Sequence, residues 1–403
     1  MKILVQKFGG TSVSTPDRRE MAVEKIRAAV VAGYSPVVVI SAIGRNGDPY
    51  ATDTLIRLAE SAGRPAPREM DVLISCGEII SCVVMAGALS AQGFAPTVLT
   101  GGQAGIRTES NFSDASILEV NTHRILELLA KGFLPVVAGF QGMDEQGDTT
   151  TLGRGGSDVT AAVLGGALGA EAVEIYTDVE GIMTADPRIV PDARTMSTLE
   201  YDEVFQMAEF GAKVIHPRAV EAAMKCDIPM YIKSTLTDHP GTLITGAAQG
   251  GAEASGRLIT AIAHVASLSQ VRVEFNGKRP DFEKDELLFD RIAENGISID
   301  MINIGPAVKH FVIEDKGREK LGTLLEELGY EHQITSGMGK VTVIGSRMRG
   351  VPGVMARTVH ALGRAGIRIY QTSDSHMTIS CLVEGEHLQR AVNALHSEYG
   401  LGS

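Results

Sequence analysis

Cysteine is scarce in this chain of 403 residues, and the few cysteines present follow no pattern. They stand at unrelated spacings and fit neither a disulfide framework nor a C-x-x-C metal pair: Cys76, Cys82, Cys226 and Cys381. We therefore expect reduced thiols in the core and no bound structural metal.

Targeting and membrane signals are missing as well. The first residues, KILVQKF, resemble a strand and not a basic leader followed by an apolar segment. No apolar run approaches the ~20 residues that a membrane span requires. We therefore expect a cytoplasmic protein without a membrane partner.

The chain also lacks the clustered Lys and Arg of a nonspecific nucleic-acid binder, and its formal charge is -12. Its 44% hydrophobic and 21% charged residues are typical of a globular protein. A length of 403 residues allows two or three domains. The composition favours chemistry on small molecules and no nucleic-acid partner.

Short apolar runs alternate with helical patterns up to about residue 245. The helical patterns include residues 18–33 and 115–132. Near-continuous apolar strands between helices predict an α/β fold with a mostly parallel sheet covered on both faces. Ligands of such sheets bind beyond the carboxyl ends of the strands. The predicted strands are 3–8, 36–43, 95–100, 134–140, 172–177 and 229–234.

The composition changes after this region. Residues 241–257 are rich in Gly, Ala and Ser, which predicts a linker or a surface hairpin. Two segments that follow, from SQVRVEF to ISIDMINI and from KVTVIGS to HMTISCLVEGE, share a strand–loop–helix–strand pattern. This similarity indicates an internal repeat of about 70 residues. Coincidence between two generic βαβ patterns is the alternative.

The stretch KFGGTSV, residues 7–13, places Lys7 before the pair Gly9 and Gly10. Glycines after an apolar strand let backbone N–H groups approach an anion closely, and phosphate is the first candidate. The P-loop string G-x-x-x-x-G-K-[ST] is absent, so a phosphate site here would use another scaffold. An ordinary Gly-Gly turn with a solvated lysine is the alternative.

A second glycine-rich stretch, TLGRGGSD, precedes a helix of small residues. Ser157 at the predicted N-cap, together with the helix dipole, favours an anion. Arg154 offers a planar fork for a carboxylate or phosphate. Asp158 would repel phosphate unless it holds Lys7 or Mg²⁺. A surface glycine turn is the alternative.

Further polar residues stand at predicted strand ends or in loops. Thr177 and Asp178 stand at the carboxyl end of the predicted strand 172–177, where the α/β rule places ligands. Arg188 in TADPR and Lys213 in GAKVIHP add cations, while His216 is expected to be structural.

Three more candidates lie in the first hundred residues. Glu78 lies among apolar neighbours on a predicted helix, where a buried carboxylate needs a partner. That partner would be either the ammonium of a ligand or a cationic side chain in an internal ion pair. Ser41 and Thr52 lie in a predicted loop, where their hydroxyls could orient a substrate or simply form turns.

The motifs KFGGTSV, GRGGSD, TDVEGIMTADPR and GAKVIHP, in this order and followed by the repeat, closely resemble the aspartate kinase family. The resemblance implies an amino-acid-kinase fold and a tail of two ACT (βαββαβ) regulatory modules, the first usually inserted within the second. The implied domains are residues 1–245, a linker at 246–258, module 1 at 266–338, and module 2 at 339–403 with a strand from 259–265.

The resemblance also implies roles for single residues. It places Lys7, Gly9 and Gly10 at the nucleotide phosphates, and Asp158 as the organising acid. For ATP it adds Thr177, Asp178, Arg188 and Lys213. Met183 stands where relatives commonly carry Tyr near the adenine, and its thioether can still pack on a purine. For aspartate it implies Ser41, Thr52, Glu78, Arg154 and Ser157.

The implied reaction is the ATP- and Mg²⁺-dependent phosphorylation of the β-carboxylate of L-aspartate, which begins lysine, threonine, methionine and diaminopimelate biosynthesis. The acceptor carboxylate is ionised at pH 7, so no general base is needed. A kinase of the same fold acting on glutamate or a similar acceptor is one alternative. A nonenzymatic amino-acid sensor is another.

The resemblance implies regulation by a pathway amino acid. Lysine, threonine and diaminopimelate remain open as effectors, and the loop GRNGDPYATDT resembles the diaminopimelate-sensitive form of spore-forming bacteria. A homodimer or higher homo-oligomer through the ACT modules is expected. The expected effector contacts, at an interface of both modules, are Met348, Val351, Gly353, Val354, Gln371 and Thr372.

Overall fold

A computed structural model describes residues 1–212, 214–246, 258–275, 282–346, 348 and 350–402. Most of the predicted linker and the predicted site residue Lys213 lie outside these described residues. The chain divides into two compact units. The first comprises residues 1–182, 195–208 and 213–256, and the second comprises residues 183–194, 209–212 and 257–403.

The first unit is built on two sheets. Its strands in the described residues are β1 Ile3–Phe8, β2 Ser35–Ile40, β3 Pro96–Leu99, β4 Ile106–Thr108, β5 Ile117–Val120, β6 Leu134–Ala138, β7 Gln141–Met143, β8 Thr149–Thr151, β9 Ala172–Thr177, β10 Thr198–Glu200, β11 Met230–Ser234 and β12 Thr242–Thr245. The larger sheet has the order β10-β12-β11-β9-β1-β2-β6-β3, and the smaller has the order β5-β4-β7-β8.

All neighbours in the larger sheet are parallel except β11 and β12. Strand β1 lies at its centre, and all six of its residues are buried because helices cover both faces of the sheet. The predicted α/β fold with a mostly parallel sheet is confirmed, and the polar ends of β1, β2, β6 and β9 meet at one edge.

The helices of the first unit in the described residues are α1 Pro16–Val31, α2 Thr52–Ala62, α3 Pro67–Ala91, α4 His123–Ala130, α5 Gly156–Leu168, α6 Tyr201–Glu209 and α7 Pro217–Lys225. The predicted helix at 115–132 is wrong in its first half, where β5 pairs with β4. The side chain of Asn121 accepts a hydrogen bond from the His123 N–H at 3.1 Å, so the helix begins only after it.

Helix α3 is long and apolar enough to cross a membrane by length and composition, contrary to the expectation from the sequence. One face of this helix packs into the core of the first unit, where Cys82, Met85 and Leu89 have no exposed surface. All four cysteines are free thiols, but only Cys82 and Cys381 are buried as predicted, whereas Cys76 is partly exposed and Cys226 is exposed. Cys226 directly follows the last residue of helix α7.

The second unit contains one six-stranded sheet in its described residues. The strands are β13 Ala261–Glu274, β14 Asp300–Ile304, β15 Val308–Glu314, β16 Glu331–Ile344, β17 Gln371–Asp374 and β18 Thr378–Glu384. The helices are α8 Phe282–Glu294, α9 Arg318–Glu327, α10 Val354–Arg364 and α11 Leu388–Glu398. The strand order is β14-β15-β13-β16-β18-β17.

Strands β13 and β16 are each 14 residues long and serve both halves of this sheet. Residues 268–274 of β13 pair with β15, whereas residues 261–265 pair with residues 340–344 of β16, which also pair with β18. The register shifts between these halves, near Ser267, which has a positive φ of 60°. Two similar substructures therefore share two continuous strands.

Candidate active site

Lys7 lies near the carboxyl end of the central strand β1 and is only 9% exposed. Its Nζ atom lies 2.6 Å from the Asp158 carboxylate in the first turn of α5. Small and mostly buried residues in α5 let this helix lie close to the sheet, which brings the two charges together. Lys7 is therefore held at the sheet edge and is not solvated, and Asp158 has one of its two expected partners.

The glycine pair after Lys7 is fixed by neighbouring backbone. The Gly9 N–H donates to the carbonyl of Tyr176 at 3.2 Å, and a Cβ at Gly9 would lie 3.7 Å from Lys7 Nζ. A Cβ at Gly10 would overlap with the carbonyl oxygen of Ala42. Glycine is thus needed at position 10 for close backbone contact, and at position 9 it leaves space in front of the ammonium.

The second glycine stretch differs in detail from the sequence prediction. Helix α5 begins at Gly156, and its N-cap is Gly155 with a φ of 74°, not Ser157. The ring of His216 leaves no room for a Cβ at Gly155. Ser157 lies one residue into the helix, against Gly139, where an added Cβ would meet the Ser157 Cβ at 2.8 Å. Ser157 therefore lies next to the end of β6.

Arg154 lies in the loop just before α5, and its side chain is exposed. No acceptor or carboxylate among the described residues pairs with its guanidinium. A planar cation at this edge is consequently available to an anionic ligand.

Glu78 is 2% exposed on α3. Its Oε1 atom accepts a hydrogen bond from the Ala42 N–H at 3.1 Å, just beyond β2. Its Oε2 atom is buried, and no donor among the described residues reaches it. Burial raises the pKa of Glu78 to about 8, although the Ala42 hydrogen bond favours the charged form. The second oxygen is therefore open to a cationic group from a ligand.

Ser41 directly follows β2, and its N–H donates to the carbonyl of Phe8 at 3.2 Å, so the ends of β1 and β2 are joined. Thr52 is not in a loop as predicted but is the first residue of α2. The extended backbone of Ala51 and the acidic Asp53 in the first turn favour a helix start there.

Thr177 ends β9, and its hydroxyl donates to the Asp178 carboxylate at 3.2 Å. Asp178 also forms an ion pair with Arg45, from the loop after β2. Sequence reasoning missed Arg45, because an isolated arginine in a loop gives no signal of a partner 133 positions away. The pair joins two loops at the edge where Lys7 lies.

Two further residues that the sequence did not indicate support the glycine stretch. Asp71 of α3 is fully buried and accepts hydrogen bonds from the backbone N–H and the hydroxyl of Thr151 at 2.8 and 2.9 Å. Arg218, near the start of α7, donates to the carbonyl of Leu152 at 2.7 Å. His216 accepts from the Arg218 N–H at 3.3 Å and caps α7, which agrees with its expected structural role.

Met183 and Arg188 lie in the second compact unit, in segment 183–194. Arg188 is paired there with Asp186, at 2.7 Å between Nη2 and the carboxylate. This guanidinium lowers the pKa of Asp186, and the backbone N–H of Arg188 also donates to the carboxylate, at 2.9 Å. The roles expected for Met183 and Arg188 at the nucleotide stay predictions.

The second unit contains a cavity of about 410 Å³ at the start of α10. Four of the predicted effector contacts line it: Met348, Val351, Gly353 and Val354. Gln371 and Thr372 lie instead on the edge strand β17, where Gln371 accepts a hydrogen bond from Gln270 at 3.0 Å and donates to the carbonyl of Met301. Gln371 thus contacts the other half of the sheet.

Comparison with known proteins gives a consistent result for both units. Residues 2–234 match the amino acid kinase family, and residues 333–397 match the ACT domain. Aspartokinase 1 of Bacillus subtilis is 44% identical over 404 residues, covering 100% of this chain and 100% of that protein.

Two crystal structures of aspartokinase III from E. coli are similar over almost the whole chain. The complex with aspartate and ADP (R-state) has a TM-score of 0.80 at 27% identity, covering 98% of this chain and 99% of that one. The complex with lysine and aspartate (T-state) has a TM-score of 0.77 at 26% identity, with the same coverage. The kinase-like sheet, the ACT tail and the full-length similarity agree, and the chain belongs to the aspartokinase family.

Proposed function

We propose that this protein transfers the γ-phosphoryl group of ATP to the β-carboxylate of L-aspartate, giving 4-phospho-L-aspartate. The observation that carries the proposal is the ion pair between Lys7 and Asp158 at the sheet edge, with space left by Gly9 in front of the ammonium. Phosphoryl transfer depends chiefly on positioning and on stabilising negative charge, and a cation held on a central strand supplies both.

The aspartate would be recognised by two groups of opposite charge. The buried Oε2 atom of Glu78 lacks a donor among the described residues, and the substrate ammonium would supply one. The exposed guanidinium of Arg154 would hold the α-carboxylate with two parallel hydrogen bonds. Ser41, Thr52 and Ser157 would complete the site with hydroxyl groups. An amino acid would then bind with its side-chain carboxylate directed towards Lys7.

Lys7, Gly9 and Gly10 would contact the phosphates of ATP, with Thr177 and Asp178 at the neighbouring strand end. Met183, Arg188 and Lys213 are proposed for the remainder of the nucleotide. The carboxylates of Asp158 and Asp178 are hard oxygen ligands of the kind that suits Mg²⁺ beside phosphates. Bound Mg²⁺ would neutralise charge on the nucleotide.

The chemistry of this chain's own residues is then simple. The acceptor carboxylate needs no general base, since it is ionised at neutral pH. Lys7 would hydrogen-bond the transferring group as negative charge shifts towards the leaving oxygen, and Asp158 would keep the ammonium in place between turnovers. The Glu78 carboxylate would fix the substrate from the opposite end.

The remaining assignments concern the whole chain. We propose a catalytic domain at residues 1–245 and two ACT modules that bind a pathway amino acid, with the cavity beside α10 as the effector site. Lysine, threonine and diaminopimelate are the candidate effectors. A cytoplasmic location and a homodimer or higher homo-oligomer are proposed with them.

Release of ADP from ATP and Mg²⁺ tests this proposal, measured with L-aspartate, with L-glutamate and without an acceptor. Turnover that depends on aspartate is expected, and one end product added to the assay should suppress it. Turnover with glutamate alone would indicate a different acceptor. ATP binding without any turnover would favour an amino-acid sensor.

A further inference from the structure

The two halves of the second unit correspond position by position. A shift of 70 residues aligns β15 Val308–Glu314 with β18 Thr378–Glu384, and it also aligns the starts of α9 and α11. The same shift aligns the last residues of α8 and α10. Residues at equivalent sites can therefore be compared directly between the halves, called here module 1 and module 2.

In module 2 the cavity beside α10 receives side chains from three elements. Met355 comes from α10, Ser375 from the turn after β17, and Ile379 from β18. Asp374 and His376 also line it. Apolar walls with a carboxylate at one side suit a small zwitterion whose ammonium faces Asp374.

In module 1 the equivalent three positions are Asp285, Gly305 and Lys309. Lys309 has 1% of its surface exposed, and its Nζ lies 2.9 Å from the Asp285 carboxylate. The same ammonium donates to the Gly305 carbonyl at 2.7 Å and lies 4.9 Å from the ring centroid of Phe275. The module 1 equivalents of these three cavity-lining residues are thus joined through the Lys309 ammonium.

A buried lysine is costly unless it is paired and hydrogen-bonded, and Lys309 meets both requirements within its own module. Lys309 takes the position in β15 that Ile379 has in β18, where Ile379 lines the cavity. Asp285 supplies the carboxylate that accompanies this ammonium. The pair presents in module 1 the two charges that an amino acid carries.

We propose that the Lys309–Asp285 ion pair fills the effector cavity of module 1, so that each chain binds its amino-acid effector at module 2 alone. The proposal rests on the regulatory role of the second unit proposed above. Neither test below measures kinase turnover, so failure of the kinase assignment and failure of this proposal can be told apart.

Chemical labelling tests the filled cavity without any effector. The native full-length chain is treated with limiting acetic anhydride, and acetylation of Lys309 is compared by mass spectrometry with that of Lys316, whose side chain is 83% exposed. Lys309 should react at least ten-fold more slowly, and the two should react equally in urea. Equal reaction in the native chain would overturn the proposal.

Exchange of residues between the modules tests the number of sites. D285M/K309I gives module 1 the side chains of module 2, and M355D/I379K makes the reverse change. Calorimetric titration uses L-lysine, L-threonine and meso-diaminopimelate as separate probes, after thermal melting has verified that each variant folds. Replacing a buried ion pair by apolar groups is often tolerated, and the Asp285 side chain is 20% exposed, which leaves room for the longer Met, so D285M/K309I should fold.

The wild-type chain should bind one molecule of whichever probe it takes. M355D/I379K should weaken that binding at least ten-fold, whereas D285M/K309I should leave the original site intact. Two sites per wild-type chain, or loss of binding in D285M/K309I alone, would contradict the proposal. If none of the three probes binds, the labelling result decides.

Discussion

The hydroxyl of Thr184 and the Nε2 atom of His396 lie 2.9 Å apart, and both residues are buried in the second unit. This contact joins segment 183–194 to α11 of module 2. A second contact joins the same two segments, since the Asn393 amide donates to the carbonyl of Ile189 at 3.1 Å. The segment that contains the proposed nucleotide contact Arg188 is therefore attached directly to a regulatory helix.

Acid should loosen this attachment. Burial lowers the pKa of His396 below its usual 6.5, with Asp192 opposing the shift. The unfolded chain then binds more protons than the folded chain below pH 6.5, so the free energy of unfolding falls as the pH decreases through that range. We expect the melting temperature of the wild type to decrease more steeply from pH 7 to 5 than that of His396→Asn.

The control is His360→Asn, which changes an exposed histidine on α10 in the same unit. It should keep the wild-type slope. If His396→Asn also keeps the full slope, other groups govern the acid sensitivity of the second unit.

Replacing Lys7 should affect turnover more than substrate binding. Lys7→Met removes the proposed charge stabilisation, and loss of one such donor typically lowers kcat about 10²–10³-fold. Steady-state kinetics with varied ATP and aspartate would separate kcat from KM. Lys25→Met is the matched control, because Lys25 pairs with the exposed Asp238. Full turnover in Lys7→Met would contradict the assigned role.

The raised pKa of Glu78 predicts a pH-dependent KM for aspartate. Below its pKa of about 8 the free enzyme holds Glu78 largely protonated, and a neutral carboxyl binds an ammonium poorly. KM should therefore fall as the pH rises from 6 to 8 and then level off. Glu78→Gln should raise KM and flatten this profile, whereas Glu60→Gln, at an exposed position of α2, should not. A flat wild-type profile would argue against Glu78 as the ammonium site.

Glu78 should make the free energy of unfolding depend on pH in the direction opposite to that expected for His396. Between the ordinary pKa of 4.5 and the raised value of about 8, the folded chain retains a proton that the unfolded chain loses. The free energy of unfolding then decreases as the pH rises through this window. Calorimetry of Glu78→Gln without ligands should show a smaller decrease than the wild type, and an identical decrease would exclude this origin.

An alanine at position 10 should destabilise the first unit. The new Cβ would overlap with the backbone oxygen of Ala42, which no side-chain rotation can relieve. Overpacking of this kind typically costs about 1–3 kcal/mol. Gly87→Ala is the control, because nothing lies within 4 Å of its new Cβ and alanine favours a helix. Scanning calorimetry should show a lower melting temperature for Gly10→Ala only.

The sequence predicted the central sheet well because its strands are continuous apolar runs, and such runs are typical of strands buried on both faces. It missed strands such as β7 Gln141–Met143, which are too short for any periodicity to be recognised. The first half of the predicted helix at 115–132 was wrong because Ile117–Val120 pairs with Ile106–Thr108, a contact between strands that the local sequence pattern does not reveal.

For the site, residues next to strand ends could be predicted because the topology of parallel strands brings those ends together. Arg45 and Asp71 could not, since each acts through a partner far away in the sequence, Asp178 and Thr151. The predicted effector contacts likewise fall into two groups. The loop before α10 lines a cavity, whereas Gln371 faces the other module.

Because β13 and β16 each serve both modules, module 2 is discontinuous along the chain. A fragment limited to residues 333–397, the part that matches the ACT domain, would lack residues 261–265 and leave one side of β16 unpaired. An unpaired strand edge is a template for association with other chains. The shortest fragment with a complete sheet must begin before residue 261, and it necessarily includes module 1.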